Sequence, residues 1–199
     1  MAPKYALCSL AAVAAVSTHA SAAILIFTNE FLYDANTTSY GSASENFDSY
    51  GGSYPSGLSG NAGPIAWNAA STGGVSVTGG RLSGAGTSPL TISFGSGGNV
   101  YGVGGNFFGT DGSNAVVASL VLVSLNDGTS YLNLIDTSTV FVGFVSTGAS
   151  ISSIQITAQT VGGTSVFANA DNVKFAYVPA PGALALLGLA GLAGSRRRR

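Results

Sequence analysis

Between Ala23 and Val178 the chain carries eight carboxylates: Glu30, Asp34, Glu45, Asp48, Asp111, Asp127, Asp136 and Asp171. Its one cysteine, Cys8, and its one histidine, His19, both lie in the first 22 residues. Once that leader is removed, the remainder has no disulfide, no Cys or His metal ligand, no thiol nucleophile and no histidine general base. Carboxylate chemistry is what is left. Two carboxyl groups flanking a glycosidic bond can hydrolyse it, and hard oxygen ligands suit calcium. Glu30, Asp34, Asp171 and Asn172 can meet if the first and last strands pair, which makes Asp34, Asp171 and Asn172 the candidate Ca2+ ligands. Other features weigh against both chemistries. Asp111 and Asp127 each precede a glycine, and Asp171-Asn172 opens a strand; these are places where short polar side chains bond the local backbone. No calcium loop is recognisable. The expectation is a non-enzymatic protein with no catalytic residues and no cofactor beyond this candidate Ca2+.

Charge narrows the partners. The same region holds two bases, Arg81 and Lys174, against eight acids, a net charge of −6. Nucleic-acid binding needs a basic footprint, so that class is excluded. A second binding chemistry is carried by rings. Tyr40, Phe47, Tyr50, Tyr54 and Trp67 stand among Ser, Asn and Gly, and exposed aromatic faces bury the apolar faces of sugars well. Tyr50, Tyr54 and Trp67 are therefore candidate glycan contacts, for example to an exopolysaccharide. The same rings can equally fill a core. A coplanar exposed row favours sugar binding, and buried rings favour a structural role. Gly95–Gly105 is no phosphate loop, because no Gly-Lys-Ser/Thr follows it.

The elements that must position these groups read as β. Only 8% of residues are charged and 29 are glycine, which suits short strands and tight turns. Ala23–Phe31 is expected to form the first strand, and Asp34–Ala70 long loops with short strands. Alternating runs follow at Val75–Thr78, Leu90–Phe94 and Ile154–Ala158. Val116–Leu125, apolar on nearly both faces, is expected as a central strand covered on each side. Asn126-Asp127-Gly128 before Thr129–Leu134 is a strong hairpin signal. Val140–Val145 is a further strand, and in Asp171–Tyr177 the residues Val173, Phe175 and Tyr177 share one face opposite Asn172 and Lys174. Eight to ten strands and no convincing helix predict a single all-β domain over 23–177, a β-sandwich of jelly-roll type.

Both ends of the chain carry targeting patterns. Residues 1–22 have a basic start at Lys4, an apolar run from Tyr5 to Val16 and small residues at Ala20 and Ala22; this is a signal peptide, with cleavage expected before Ala23. At the other end, Val178-Pro179-x-Pro181-Gly182 punctuates the chain. A 12-residue apolar run from Ala183 to Gly194 and four arginines, Arg196, Arg197, Arg198 and Arg199, follow. As a short helix the run rises about 18 Å, against the roughly 30 Å of a bilayer core, and the arginines hold its end on the cytoplasmic side.

This 178–199 tail resembles the PEP-CTERM sorting signal, with Ala180 where the name-giving motif has Glu. The resemblance implies a bacterial exosortase substrate. Such a protein passes through the Sec translocon and is anchored for a time in the inner membrane by its tail. It is then cut near Pro179–Gly182 and delivered to the cell surface, extracellular matrix or biofilm of a cell that makes exopolysaccharide. The body is similar to the Gly/Ser-rich β-domains that precede such tails, many ending in an Asp-Asn-aliphatic strand like Asp171-Asn172-Val173. The alternatives are a carbohydrate-binding module and a carboxylate glycosidase.

Overall fold

The four residues Asn126–Thr129 turn the chain between strands β10 (Ser119–Leu125) and β11 (Ser130–Ile135), and the rest of the fold is wrapped around that turn. A computed structural model describes residues 23–95, 98–163 and 165–179. In it the Gly128 N–H donates to the Leu125 carbonyl at 3.1 Å, and Gly128 sits at φ 90°, a conformation that favours glycine. The Asp127 carboxylate accepts from the Thr129 N–H at 2.9 Å. Outward from this tip the chain doubles back on itself three more times, each time antiparallel. β9 (Gly98–Thr110) pairs with β12 (Phe141–Ser146). β8 (Leu90–Phe94) pairs with β13 (Ser153–Thr160). β7 (Arg81–Gly84) pairs with β14 (Phe167–Pro179).

Rolled up, this nested hairpin forms two facing sheets with orders β7-β14-β9-β12 and β8-β13-β10-β11. That is the jelly-roll arrangement expected from the sequence. The remaining strands extend it. β6 (Val75–Thr78) and β3 (Gly52–Tyr54) continue the first sheet beyond β7, and β1 (Ile24–Phe27) continues it beyond β12. β2 (Gly41–Glu45) pairs with the second half of β14. β5 (Ile65–Ala70) and β4 (Leu58–Ala62) continue the second sheet beyond β8. Alternation decides which side chains enter the space between the sheets. Ile154, Ile156 and Ala158 of β13 point in, while Gln155 and Gln159 stay outside. Val173, Phe175 and Tyr177 of β14 join the core as expected, and Phe175 meets Phe94 edge-on at 5.0 Å. Each large side chain buried there contributes about 2–3 kcal/mol.

Several expectations are corrected. The described residues form fourteen strands, where eight to ten were expected. β1 stops at Phe27, and residues read as its continuation form a helix, α1 (Glu30–Thr37). The Asn29 side chain caps it by accepting from the Leu32 N–H at 3.1 Å, and Glu30 in the first turn complements the helix dipole. The short strands read among long loops after α1 are β2–β5. The first and last strands do not pair, since β1 lies at the sheet edge against β12. β10 is covered on one face only. Leu120 is 39% exposed beside Leu134 at 54%. Asn172 occupies a register shift in β14 at φ 49° and does not take part in regular alternation. Pro179 ends β14 as a paired residue opposite Gly98, so the folded domain reaches two residues beyond the expected border. The leader, with Ala20 and Ala22, and the tail, with Pro181, Gly182, the apolar helix and Arg196–Arg199, lie outside the described residues.

α1 docks on the outer face of the first sheet through Tyr33, which is buried among Phe27, Phe141 and Val145. Burial first, and the Asp34 charge second, push the Tyr33 hydroxyl well above the usual phenol range. That hydroxyl has no hydrogen-bond partner among the described residues. A buried unpaired hydroxyl costs free energy, so Tyr33→Phe is expected to raise stability by about 1 kcal/mol. A urea midpoint unchanged or lowered in Tyr33→Phe refutes this.

Candidate functional site

The polar groups of the domain converge on the outer face of the first sheet, where α1 faces the middle of β14. Glu30 and Asp34, one helical turn apart, both reach the Lys174 ammonium, at 2.6 and 2.8 Å. Burial of Lys174 pulls its pKa down, but its bonds to Asp34 and Glu30 together outweigh this and leave it raised. A group whose pKa rises on folding adds stability that is complete below its unfolded value, about 10.4 for lysine, and fades as pH climbs through the folded value. Lys174→Met is therefore expected to cost about 1 kcal/mol at neutral pH, the scale of a partly exposed ion pair. The difference from the parent protein should shrink above pH ~10.5. Urea midpoints of both proteins across neutral and alkaline pH measure it; a gap that persists unchanged at high pH rules out the ion pair as its source.

The candidate calcium ligands are thus separated by function. The Asp34 carboxylate is engaged by a lysine where a cation would sit. The Asp171 carboxylate accepts from the Asn172 N–H at 2.7 Å, and burial, ahead of that bond, holds it above the usual carboxylate range. Among the described residues no group of three or more His, Cys, Asp or Glu side chains is placed to hold a metal ion.

Beside the ion pair lies a recess of about 600 Å3 lined by Glu30, Ser44, Asn46, Asn106, Asn172 and Lys174. Its three amides come from separate parts of the chain. Asn106 is on β9, Asn46 follows β2, and Asn172 stands on the β14 bulge. Asn172 Nδ2 donates to Asn106 Oδ1 at 3.2 Å, and Asn46 Nδ2 donates to Asp48 Oδ2 at 2.7 Å. The bulge lets Asp171 and Asn172 sit consecutively on a strand that must still return Val173 to the core. A lining of amides, one hydroxyl and an ion-paired cluster of two carboxylates on one ammonium can hydrogen-bond a polar ligand. Of its side chains with nucleophilic atoms, Glu30 and Lys174 are bonded to each other, and the third is the Ser44 hydroxyl. Sequence reading missed this recess because α1, which walls it, was not foreseen.

The candidate glycan contacts are placed elsewhere. Trp67 is buried at 2% exposure, with Phe47 edge-on at 5.4 Å and Tyr50 edge-on at 5.6 Å. Its Nε1–H donates to Glu45 Oε2 at 3.3 Å. Tyr50 and Tyr54 are half-buried and pack against the same core, and burial, followed by the Glu45 charge, raises the Tyr50 pKa. Phe47, Tyr50 and Trp67 form an edge-on cluster and not the coplanar exposed row that sugar stacking requires. Trp67 is withdrawn as a glycan contact, because its indole faces are covered by protein.

Asp111 and Glu45 hold structure. The Asp111 carboxylate accepts from the Ser113 hydroxyl and from the Ser113 and Ala115 N–H groups, bonds that lower its pKa in that order of source: Ser113 side chain, then Ala115, then Ser113 backbone. Glu45 is bound to Trp67 and to the Phe47 N–H. Among the described residues no helix is long and apolar enough to cross a membrane. No family model, curated protein or solved structure matches this chain.

Proposed function

We propose that this chain is an exported, non-enzymatic bacterial protein of the cell surface, extracellular matrix or biofilm. On this reading it leaves through the Sec translocon and is held in the inner membrane by its tail. An exosortase then cuts it near Pro179–Gly182. The observation that carries the reading is the 178–199 pattern: Val178, Pro179, Pro181 and Gly182, the apolar run, and Arg196–Arg199 in that order. Two features of the fold support it. The Ala23 carbonyl is bonded by the Thr147 N–H at 3.0 Å, so a cut before Ala23 leaves an amino terminus that starts in the sheet edge. Most acids are committed to turns, to Lys174 or to Trp67, which suits a body without catalysis. Mass spectrometry of the mature extracellular protein tests it. The expected product begins at Ala23 and lacks Arg196–Arg199; mature material that still carries Arg199 refutes the processing.

A second reading is a weak glycan-binding module, supported now by the amide-lined recess in place of the aromatic stretch. Its test is a glycan array with the parent protein and with Asn106→Ala and Asn172→Gly. Binding that survives both substitutions removes the recess, and no binding by the parent removes the reading. For the glycosidase alternative, the recess offers one acid, Glu30, already paired with Lys174.

A further inference from the structure

We infer that one pole of the jelly roll, formed by residues 38–41, 63–64, 126–129 and 147–152 with the end of β14, rests against the lipid bilayer that holds the tail; the inference rests on the tail-anchoring reading above. β14 ends with Val178 paired to Asn99 and Pro179 paired to Gly98. Only Ala180, Pro181 and Gly182 separate Pro179 from the apolar run that begins at Ala183. Three residues span at most about 10 Å when fully extended. The domain therefore hangs from the membrane with almost no linker. The attachment is central, since β9 flanks β14 on one side and β2 on the other.

The amino-terminal end leaves from the same pole. Ala23 lies against Thr147, just past the Ser146 end of β12, and that end of β12 runs beside the Gly102 end of β9. Ala23 and Pro179 are three strand spacings apart, about 14 Å. A leader and a tail in one bilayer can thus both be satisfied by the folded domain.

A short tether alone permits the domain to lie on its side; charge opposes this for the side formed by the first sheet, and the exposed Leu120, Leu132 and Leu134 make the second sheet's outer face the competing pose that the labels below distinguish. The outer face of the first sheet carries three acids, Glu30, Asp34 and Asp171, beside Lys174, and Asp111 and Asp136 lie toward the opposite pole, where the β9–β10 and β11–β12 connections run. Anionic headgroups repel these acids. Among the described residues of the tethered pole the only charged group is Asp127. The pole also presents Tyr40 stacked on Tyr101 at 5.9 Å and the half-exposed Val178. Tyrosines of this kind sit well at headgroup level.

The test uses the full chain with Cys8→Ser, so that an added cysteine is unique. Ala149→Cys labels the tethered pole and Thr137→Cys the opposite one. Both sites are exposed, and a fluorophore there leaves the core untouched. The probe is a vesicle of phosphatidylethanolamine and phosphatidylglycerol carrying a headgroup nitroxide quencher. β9 alone, at 13 residues, is about 43 Å long, so the two labels differ widely in height. The expected result is co-flotation with vesicles and several-fold stronger quenching at Ala149→Cys than at Thr137→Cys. Co-flotation with equal quenching, or with stronger quenching at Thr137→Cys, overturns the inference and leaves the anchoring reading standing. Failure to co-float overturns both.

Discussion

Replacing Gly143 by valine will detach α1 from the sheet and lower stability by about 3 kcal/mol or more, as overpacked sites do. Gly143 lies on β12 directly beneath the helix. A bare Cβ at this position falls 2.5 Å from Tyr33 Cδ2 and 2.9 Å from Phe141 Cε1, closer than carbon atoms approach. Tyr33 has nowhere to retreat. Its ring is wedged against Phe27 and Phe141, and a Cβ at Gly102 would also fall 2.9 Å from its hydroxyl. The small residues at 102 and 143 are therefore the seat of the helix. The loss is readable in urea through the fluorescence of Trp67, the one tryptophan of the chain. Pairing Gly143→Val with Tyr33→Ala should recover at least about 1 kcal/mol of coupling, as contacting residues do. Strict additivity of the two substitutions would falsify the seat. Hydrogen exchange supplies a second readout: amides of α1 should lose protection while those of β9 and β14 keep theirs.

That helix was also the main element the sequence concealed. Asn29 followed by Glu30 is a helix-start signal, but it follows the aliphatic run Ile24–Phe27 so closely that the two read as one strand. Periodicity gave no help. Phe31 is 77% exposed and Leu32 52%, while the buried positions are Tyr33 and Thr37, so the apolar pattern marks the wrong face. The β-class was legible because Val75–Thr78, Leu90–Phe94 and Ile154–Ala158 alternate cleanly and each became a strand. The hairpin at Asp127-Gly128 was legible for the same local reason. Its role as the tip of four nested pairings was not, since β7 and β14 meet across more than eighty residues and no local signal records that. The site divides in the same way. The turn roles of Asp111 and Asp127 are local and were read correctly. The sequence brought Glu30 and Asp34 toward Asp171 and Asn172 through strand pairing; helix α1 brings them instead to Lys174.

Glu45→Ala should be the other large loss, about 3 kcal/mol, and for a reason opposite to steric overlap. Glu45 is a buried carboxylate at 8% exposure. Its Oε1 accepts from the Phe47 N–H at 2.9 Å and its Oε2 from Trp67 Nε1–H at 3.3 Å. Removing it leaves two buried donors unpaired, each costing about 1–3 kcal/mol. One of the two bonds also restrains the backbone. Phe47 sits at φ 57°, a conformation that a bulky side chain adopts only when its surroundings impose it. Glu45→Gln keeps one acceptor oxygen and replaces the other by a donor, so it should cost about half as much as Glu45→Ala. Trp67→Phe removes one of the two donors in advance. In that background Glu45→Ala should cost at least about 1 kcal/mol less than in the parent, because only Phe47 is then left without a partner. Chemical denaturation followed by far-UV circular dichroism measures the parent and the four variants without relying on the indole. An equal cost of Glu45→Ala with and without Trp67 would show that the carboxylate–indole bond contributes nothing. The burial of Trp67 would then have to be credited to its packing against Phe47 and Tyr50 alone.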